Sequence, residues 1–160
     1  MIELARMLPQ EEPAVRQLFA LCHPTWTPRP EHWYSLNPTS VAIDRDRDSR
    51  VVGARSVTVD PTCHLMHLQG LMVDPTARGQ GVGDMLFDWE IENGREMGIV
   101  SFLSATWPSN APMRALFLKH GFHLCQELPG YYPENAPPED GLLYARHLFP
   151  HHLLPQCQGH

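Results

Sequence analysis

No stretch of this sequence stays apolar for more than a handful of residues, against the ~20 that a bilayer-spanning helix needs. Met1 is followed by Glu3 and Arg6 rather than by a basic stretch and an apolar core, so no secretory signal is visible. Basic residues are scarce too: 12 Lys and Arg against 18 Asp and Glu, a formal net charge of -6. That balance argues against a nucleic-acid backbone as main partner, since such partners call for a basic face. The four cysteines (Cys22, Cys63, Cys125, Cys157) form no C-x-x-C pair and are expected to be reduced. Ten histidines are present, yet only weak spacings such as His147 to His151 hint at ligation, so no metal site is expected. The expected setting is cytoplasmic, without a nucleic-acid or membrane partner.

What is present is one domain's worth of chain. At ~150 residues per domain, 160 residues with 42% hydrophobic and 19% charged content suffice for a single core. No repeat or low-complexity linker divides it. Residues 1–148 read as one domain, and 149–160, with Pro150, Pro155 and Gly159, as a loosely ordered tail.

Ile2 to Leu8 predicts an opening strand. Val15, Leu18, Phe19 and Cys22 recur at three- and four-residue spacing, which predicts a helix over Gln10 to Cys22 with Pro13 in its first turn. A short helix is expected from Pro30 to Leu36, then strands Ser40 to Ile43 and Arg50 to Val59 around the polar turn Asp44 to Ser49. Cys63 to Val73 reads as one further strand. Val82, Met85, Leu86, Trp89 and Met97 mark a helical stripe from Gly81 to Met97. Ile99 to Ala105 is a continuous apolar run, expected as a central strand buried on both faces. Ala111 to His120 predicts a helix closed by Gly121. Phe122 to Leu128 and Leu142 to Leu148 are the last strands, joined by a proline-rich loop. The order β-α-α-β-β-β-α-β-α-β-β implies an α/β (α+β) fold, a mixed sheet with helices on its faces.

The most informative stretch is Leu71-Met72-Val73-Asp74-Pro75-Thr76-Ala77-Arg78-Gly79-Gln80-Gly81-Val82-Gly83. A strand ends, a proline turn follows, and a glycine-dense loop opens a helix. Glycines at 79, 81 and 83 remove the Cβ atoms that would keep a ligand off the backbone amides. Amides at the start of that helix have no partner within it and sit at its positive dipole end, which suits a phosphate or pyrophosphate. Arg78 adds a fixed positive charge; the alternative is a tight turn that merely needs glycine. Two familiar loops are excluded. Gly83 is followed by Asp84-Met85 rather than by G-K-[ST], and it comes two residues after Gly81, not three as in G-x-G-x-x-G.

Arg78-x-x-Gly81-x-Gly83, preceded by Leu71-x-Val73-Asp74-Pro75, resembles the acyl-CoA pyrophosphate loop of the GNAT superfamily of N-acetyltransferases. Ser109-Asn110, Leu116-Phe117 and Gly121-Phe122 resemble its S-N-x-x-A-x-x-L-Y-x-x-x-G-F block. Tyr131-Tyr132-Pro133 followed by Glu139-Asp140 resembles the ribosomal-protein type that acetylates protein N-termini. The resemblance implies a mostly antiparallel sheet splayed between its fourth and fifth strands, with acetyl-CoA in the V and no metal. Leu71, Met72 and Val73 would pair with the pantetheine arm. Arg78, Gly79, Gln80, Gly81, Val82, Gly83 and Asp84 would hold the pyrophosphate, and Asn110 and Phe117 would border the thiol end.

Transfer to an amine needs a neutral nucleophile. For a lysine-like pKa of ~10.4 only ~0.04% is neutral at pH 7, a penalty of ~4.6 kcal/mol, whereas near pKa ~8 it is ~1.4 kcal/mol. Two positions depart from the subgroup that the chain resembles. Ala105 stands where a glutamate base is usual, and Phe117 where a tyrosine acid is usual. His67, eleven residues before Arg78, matches the position of a base in other branches of the superfamily, and otherwise is a packed strand histidine. Alternation along an unbroken strand would put His67, Gln69, Leu71 and Val73 on one face, with Gln69 orienting a water. Tyr132 is the candidate acid. Trp26, Trp33 and Tyr131 either wall the acceptor site or pack against the proline-rich segments, and Trp107-Pro108 would narrow it.

The expectation is direct acetyl transfer in a ternary complex by a monomer or homodimer. The acceptor is a peptide or protein α-amino group, with a small-molecule amine or a non-catalytic acyl-CoA-binding domain as alternatives.

Overall fold

The computed structural model describes residues 1–148, and the expected tail, 149–160, lies outside the described residues. Eight strands form one sheet: β1 (Ile2–Arg6), β2 (Thr39–Asp44), β3 (Arg50–Asp60), β4 (Leu65–Leu68), β5 (Met72–Val73), β6 (Ser101–Thr106), β7 (His123–Tyr132) and β8 (Glu139–His147). Four helices cover it: α1 (Glu12–Cys22), α2 (Trp33–Leu36), α3 (Val82–Glu96) and α4 (Ala111–Lys119). The strand order is β1-β2-β3-β4-β6-β8-β7, with β5 paired to β3 off this path. All pairs are antiparallel except β4 with β6.

Side-chain alternation sorts the core. Val41 and Ile43 on β2 face α1, where they meet Val15, Leu18 and Phe19; Ala42 between them faces α3 and meets Val82 and Leu86. A third cluster joins Phe87 and Ile91 of α3 to Met66, Leu68, Phe102 and Tyr144 of the sheet and Phe117 of α4.

Three expectations change. The strand expected over Cys63 to Val73 is two strands. β4 pairs with β6 through Leu68↔Ser104, then the chain steps away, and β5 pairs with β3 alone through Ala54↔Met72 and Gly53↔Val73. The step at Gln69–Leu71 breaks the alternation that would have aligned His67 with Val73. Second, β6 is central in pairing but alternates in burial: Phe102, Ser104 and Thr106 are buried, while Leu103 and Ala105 are only half-buried. Third, the last two strands reach Tyr132 and begin at Glu139, so both tyrosines lie on β7 rather than in the proline loop.

The parting of β5 from β6 leaves a carbonyl to satisfy, and a buried arginine does so. Arg55, 1% exposed, donates from Nε to Gln69 O at 3.0 Å and from Nη2 to Ser104 Oγ at 3.1 Å. Ser104 Oγ in turn donates to Leu68 O at 2.8 Å. The guanidinium lies 4.2 Å from the Phe87 ring centroid, and burial pulls its pKa down to about 10 against the opposing charge of Glu90. Removing one partner of such a buried polar set leaves the others orphaned. Arg55→Met is therefore expected to lower unfolding free energy by about 3–5 kcal/mol, read as a lower urea midpoint with an unchanged slope.

Candidate active site

Two cavities meet where the sheet opens. The first is a groove lined by Leu71, Val73 of β5, Arg78, Gly79 and Gly81 of the loop, Val82, Gly83 and Asp84 of α3, Asn110 at the N-cap of α4, and Met113 of α4. The second lies between the lobes. His67, Gln69, Ala105, Trp26, Trp33, Tyr131 and Tyr132 all line it. His23, Leu71, Trp107, Asn110 and Met113 line both, so the cavities communicate past these side chains.

The groove is built from backbone. Asp74 N–H donates to Val52 O on β3 at 2.8 Å, so by antiparallel alternation the polar groups of Val73 point to the opposite, open edge. There the Val73 carbonyl accepts from Cys22 Sγ at 3.4 Å. Asp74 shapes the turn below: its carboxylate accepts from Thr76 N and Thr76 Oγ1 and pairs with Arg50 at 2.8 Å. Gly79 and Gly81 both have φ of +80°, and a Cβ at either would meet nothing within 4 Å. Their glycine requirement is conformational, and the space over the amides is open. Gly83 differs, because its Cβ would come within 3.2 Å of Leu116 and 3.3 Å of Leu71. It lets α3 approach β5 and α4. With α3 starting at Val82, the N-terminal amides of α3 border this open space, the arrangement that a pyrophosphate needs.

Several expected site residues have structural duties, some of them while also lining a cavity. Phe117 is fully buried in the core, with its ring stacked on Tyr144 at 4.5 Å and edge-on to Phe87 at 5.7 Å. The helical face that carries it is set by that core; Met113 and Leu116 pack against the edge of the same core and also line the groove. Met72 packs its side chain into the α1 cluster. Asp84 turns its carboxylate to α4, where Lys119 and His120 each approach to 2.9 Å and hold it below the usual carboxylate range. Asn110 caps α4, accepting from Met113 N at 3.4 Å and donating to Thr106 Oγ1 at 3.1 Å. Gln80 is exposed.

The inter-lobe cavity is aromatic. Trp26 stacks on His23 at 4.1 Å and lies 5.8 Å from Tyr132 and 5.7 Å from Trp107. Tyr131, 5.0 Å from Tyr132, is exposed. Two loops close over the rim. Thr25 Oγ1 donates to Glu134 O at 2.6 Å, Thr27 Oγ1 to the Glu134 carboxylate at 2.7 Å, and Trp26 Nε1 to Asn135 Oδ1 at 2.9 Å. Glu139 then ties this rim to α4 by accepting from Ser109 Oγ at 2.7 Å.

Titration in the cavity follows from burial. Desolvation, then the charge of Arg55, lowers the pKa of His67 from its ordinary value. Burial pushes the Tyr132 phenol up. His23 goes lowest, to about 4, through burial and then the charges of Arg29 and Arg78. Sequence reasoning missed His23, Arg29 and Arg55. A histidine just past a helix, an arginine in the segment between α1 and α2 and another within β3 carry no spacing signal; only the tertiary fold brings them to one cavity.

The sequence model described as the acetyltransferase (GNAT) family matches residues 12–122. The chain belongs to this family. No curated protein matches it, whereas solved GNAT structures share its fold. The ribosomal-protein-S18-alanine N-acetyltransferase of Escherichia coli superposes with a TM-score of 0.81 at 19% identity, covering 98% of this chain and 100% of that one. Nourseothricin acetyltransferase gives 0.72 at 20%, covering 91% and 98%. A chain of the NatC complex bound to Gag peptide and CoA gives 0.76 at 17%, covering 92% and 99%. The fold expected from the loop is the fold observed. Among the described residues no cluster of three metal-ligating side chains occurs, and no helix is long and apolar enough to cross a membrane.

The His23 shift makes stability depend on pH. Its folded pKa, about 4, lies below the ordinary 6.5, so between these values the unfolded chain binds more protons than the native one. Its contribution is complete above about pH 6.5 and fades as pH falls towards about 4. Urea midpoints measured across this window should fall with acidity, and His23→Gln should flatten part of that slope.

Proposed function

We propose that this GNAT protein is an acetyl-CoA-dependent N-acetyltransferase that moves the acetyl group directly to an amine within a ternary complex. The observation that carries the reading is the meeting of two cavities at the split sheet, one with bare backbone donors and the other with His67 and aromatic walls. The residues present fit the carrier: an open glycine loop, the N-terminus of α3, and a free edge on β5.

When bound, acetyl-CoA supplies an acyl group activated as a thioester. Arg78 and the amides at 79–84 hold the diphosphate by charge and hydrogen bonds. The free edge of Leu71 to Val73 takes the pantetheine arm as an added strand, and the Val73 N–H donates to the thioester oxygen. His67, neutral at physiological pH because burial disfavours its cation, accepts the proton that the amine loses. Gln69 orients the intervening water. The new N–C bond forms as the C–S bond breaks, leaving the electron pair on sulfur. A thiol of pKa ~8.5 leaves without obligatory protonation; Tyr132, its phenol held protonated by burial, is the donor on hand.

The acceptor that the sequence pointed to is a peptide or protein α-amino group. The rim contacts favour a second reading, a small-molecule amine: Thr25, Trp26 and Thr27 bond across the cavity mouth to Glu134 and Asn135.

Thiol release from acetyl-CoA across a panel of small amines and N-terminal peptides tests both. His67→Ala should cut kcat by ~10²–10⁴-fold while calorimetric CoA affinity stays within twofold. Because the His67 pKa is lowered, the acid limb of kcat/KM should have its midpoint below about 6.5. Equal turnover in wild type and variant would remove His67 from the mechanism.

A further inference from the structure

The charged side chains that line the inter-lobe cavity are both arginines, Arg29 and Arg55; among the described residues no aspartate or glutamate lines it. This is the reverse of the chain as a whole, whose formal net charge is -6. The carboxylates of the rim are engaged there. Glu134 accepts from the amide and hydroxyl of Thr27, and Glu139 accepts from the amide and hydroxyl of Ser109. An acceptor carrying a second cation would therefore meet two guanidiniums in the lining, opposed only by Glu90 behind Arg55 and by Glu134 on the rim.

Arg29 is placed to receive an anion. Its guanidinium carbon lies 5.3 Å from the Phe19 centroid, 5.6 Å from Trp33 and 6.0 Å from Trp26, so rings border the cation. No carboxylate lies within ion-pair distance of it among the described residues. Its backbone is fixed, since Arg16 donates to Arg29 O and Pro30 O. Aromatic contacts position a guanidinium while leaving its in-plane N–H donors for a bidentate acceptor. Arg55 adds positive potential from the floor, and its Nη1 has no hydrogen-bond partner. After burial, the charges of Arg29 and Arg55 add to the lowered pKa values of His23 and His67, which line the same cavity.

We infer that the acceptor is a small amine with an apolar, ring-compatible body and an anionic group, a carboxylate or its equivalent, which Arg29 binds while the amine points to the junction of the cavities. The inference rests on the acetyltransferase reading and specifies its substrate class. An anion on the acceptor offsets the positive field around it, and the same field favours the neutral form of the amine that must react. Polyamines and other acceptors that keep a second cation are disfavoured by the same charges.

Matched pairs that differ only in the anion provide the test: para-(aminomethyl)benzoate against benzylamine, and phenylalanine against phenethylamine. Thiol release is followed with acetyl-CoA, and binding of each compound is measured by calorimetry with and without CoA. For at least one pair the carboxylated member should be favoured by about 10- to 100-fold in kcat/KM and in affinity, the usual effect of a charged hydrogen-bonded pair. Arg29→Ala should collapse that ratio to about twofold, and Arg29→Lys should restore part of it. A purely structural role for Arg29 would instead weaken both members of a pair alike, which overturns the inference. A preference for the uncharged amines in both assays also overturns it. Selective binding of the carboxylated compounds with no thiol release would leave the anion site standing and sink the transferase reading; turnover with no anion preference would do the opposite.

Discussion

The molecule depends on a polypeptide that stops pairing with β6 after Leu68 yet stays paired with β3. Every sheet must satisfy its edges, and an interior edge left bare is costly unless water, a ligand or a side chain reaches it. Here the cost is met at the apex by Arg55, whose Nε and Nη2 bridge Gln69 O on one side of the opening and Ser104 Oγ on the other. A buried cation is a poor stabiliser in isolation. Its place over the Phe87 ring and within the field of Glu90 makes the arrangement tolerable, and the direction of its pKa shift shows that desolvation still dominates. The open edge of β5 is thus maintained by a polar group at the base of the V and by apolar packing of α3 behind it.

From that opening the two halves of the site acquire opposite chemistry. On the α3 side the available groups are amides and Arg78, arranged by glycines whose positive φ no other residue adopts cheaply. On the other side the walls are rings, and the rim is a chain of hydrogen bonds running from Thr25 and Trp26 through Glu134, Asn135 and Glu139 to Ser109. Three loops that are distant in sequence are therefore coupled at the mouth. Because Ser109 stands just before the N-cap of α4, and Asn110 borders both cavities, a change in the rim is felt where the cavities join.

Legibility from sequence followed the range of the interaction. Helices α1, α3 and α4 were readable because their apolar stripes are local, and their observed ends lie within two residues of those expected. The glycine loop opening α3 was readable because backbone chemistry ties glycine to particular positions. The splay of the sheet was implied by the family resemblance, but its start at Gln69–Leu71 was not legible, since the point where pairing with β6 ends is decided by partners more than thirty residues away. Phe117 illustrates the same limit. Its place in a family motif pointed to the cleft, but its ring is claimed by Phe87 of α3, Tyr144 of β8 and Phe122 just before β7. Arg55 and His23 looked unremarkable in sequence for the converse reason, as nothing local marks a side chain whose neighbours come from β4, β6 or the far loop.

The missing glutamate and the candidate histidine are related by register. His67 on β4 lies directly beside Leu103 on β6, and in a parallel pair adjacent residues present their side chains to the same face. Ala105, two residues beyond Leu103, shares that face, and both Ala105 and His67 line the inter-lobe cavity. A carboxylate at position 105 would compete with the imidazole for the same volume and would sit within reach of its proton. With a methyl group there, the face keeps one titratable group rather than a coupled pair, and that group is neutral at physiological pH. In the proposed mechanism, proton transfer has therefore moved across one strand spacing, from β6 to β4, while the cleft that delivers the acyl group has stayed where the family fold puts it.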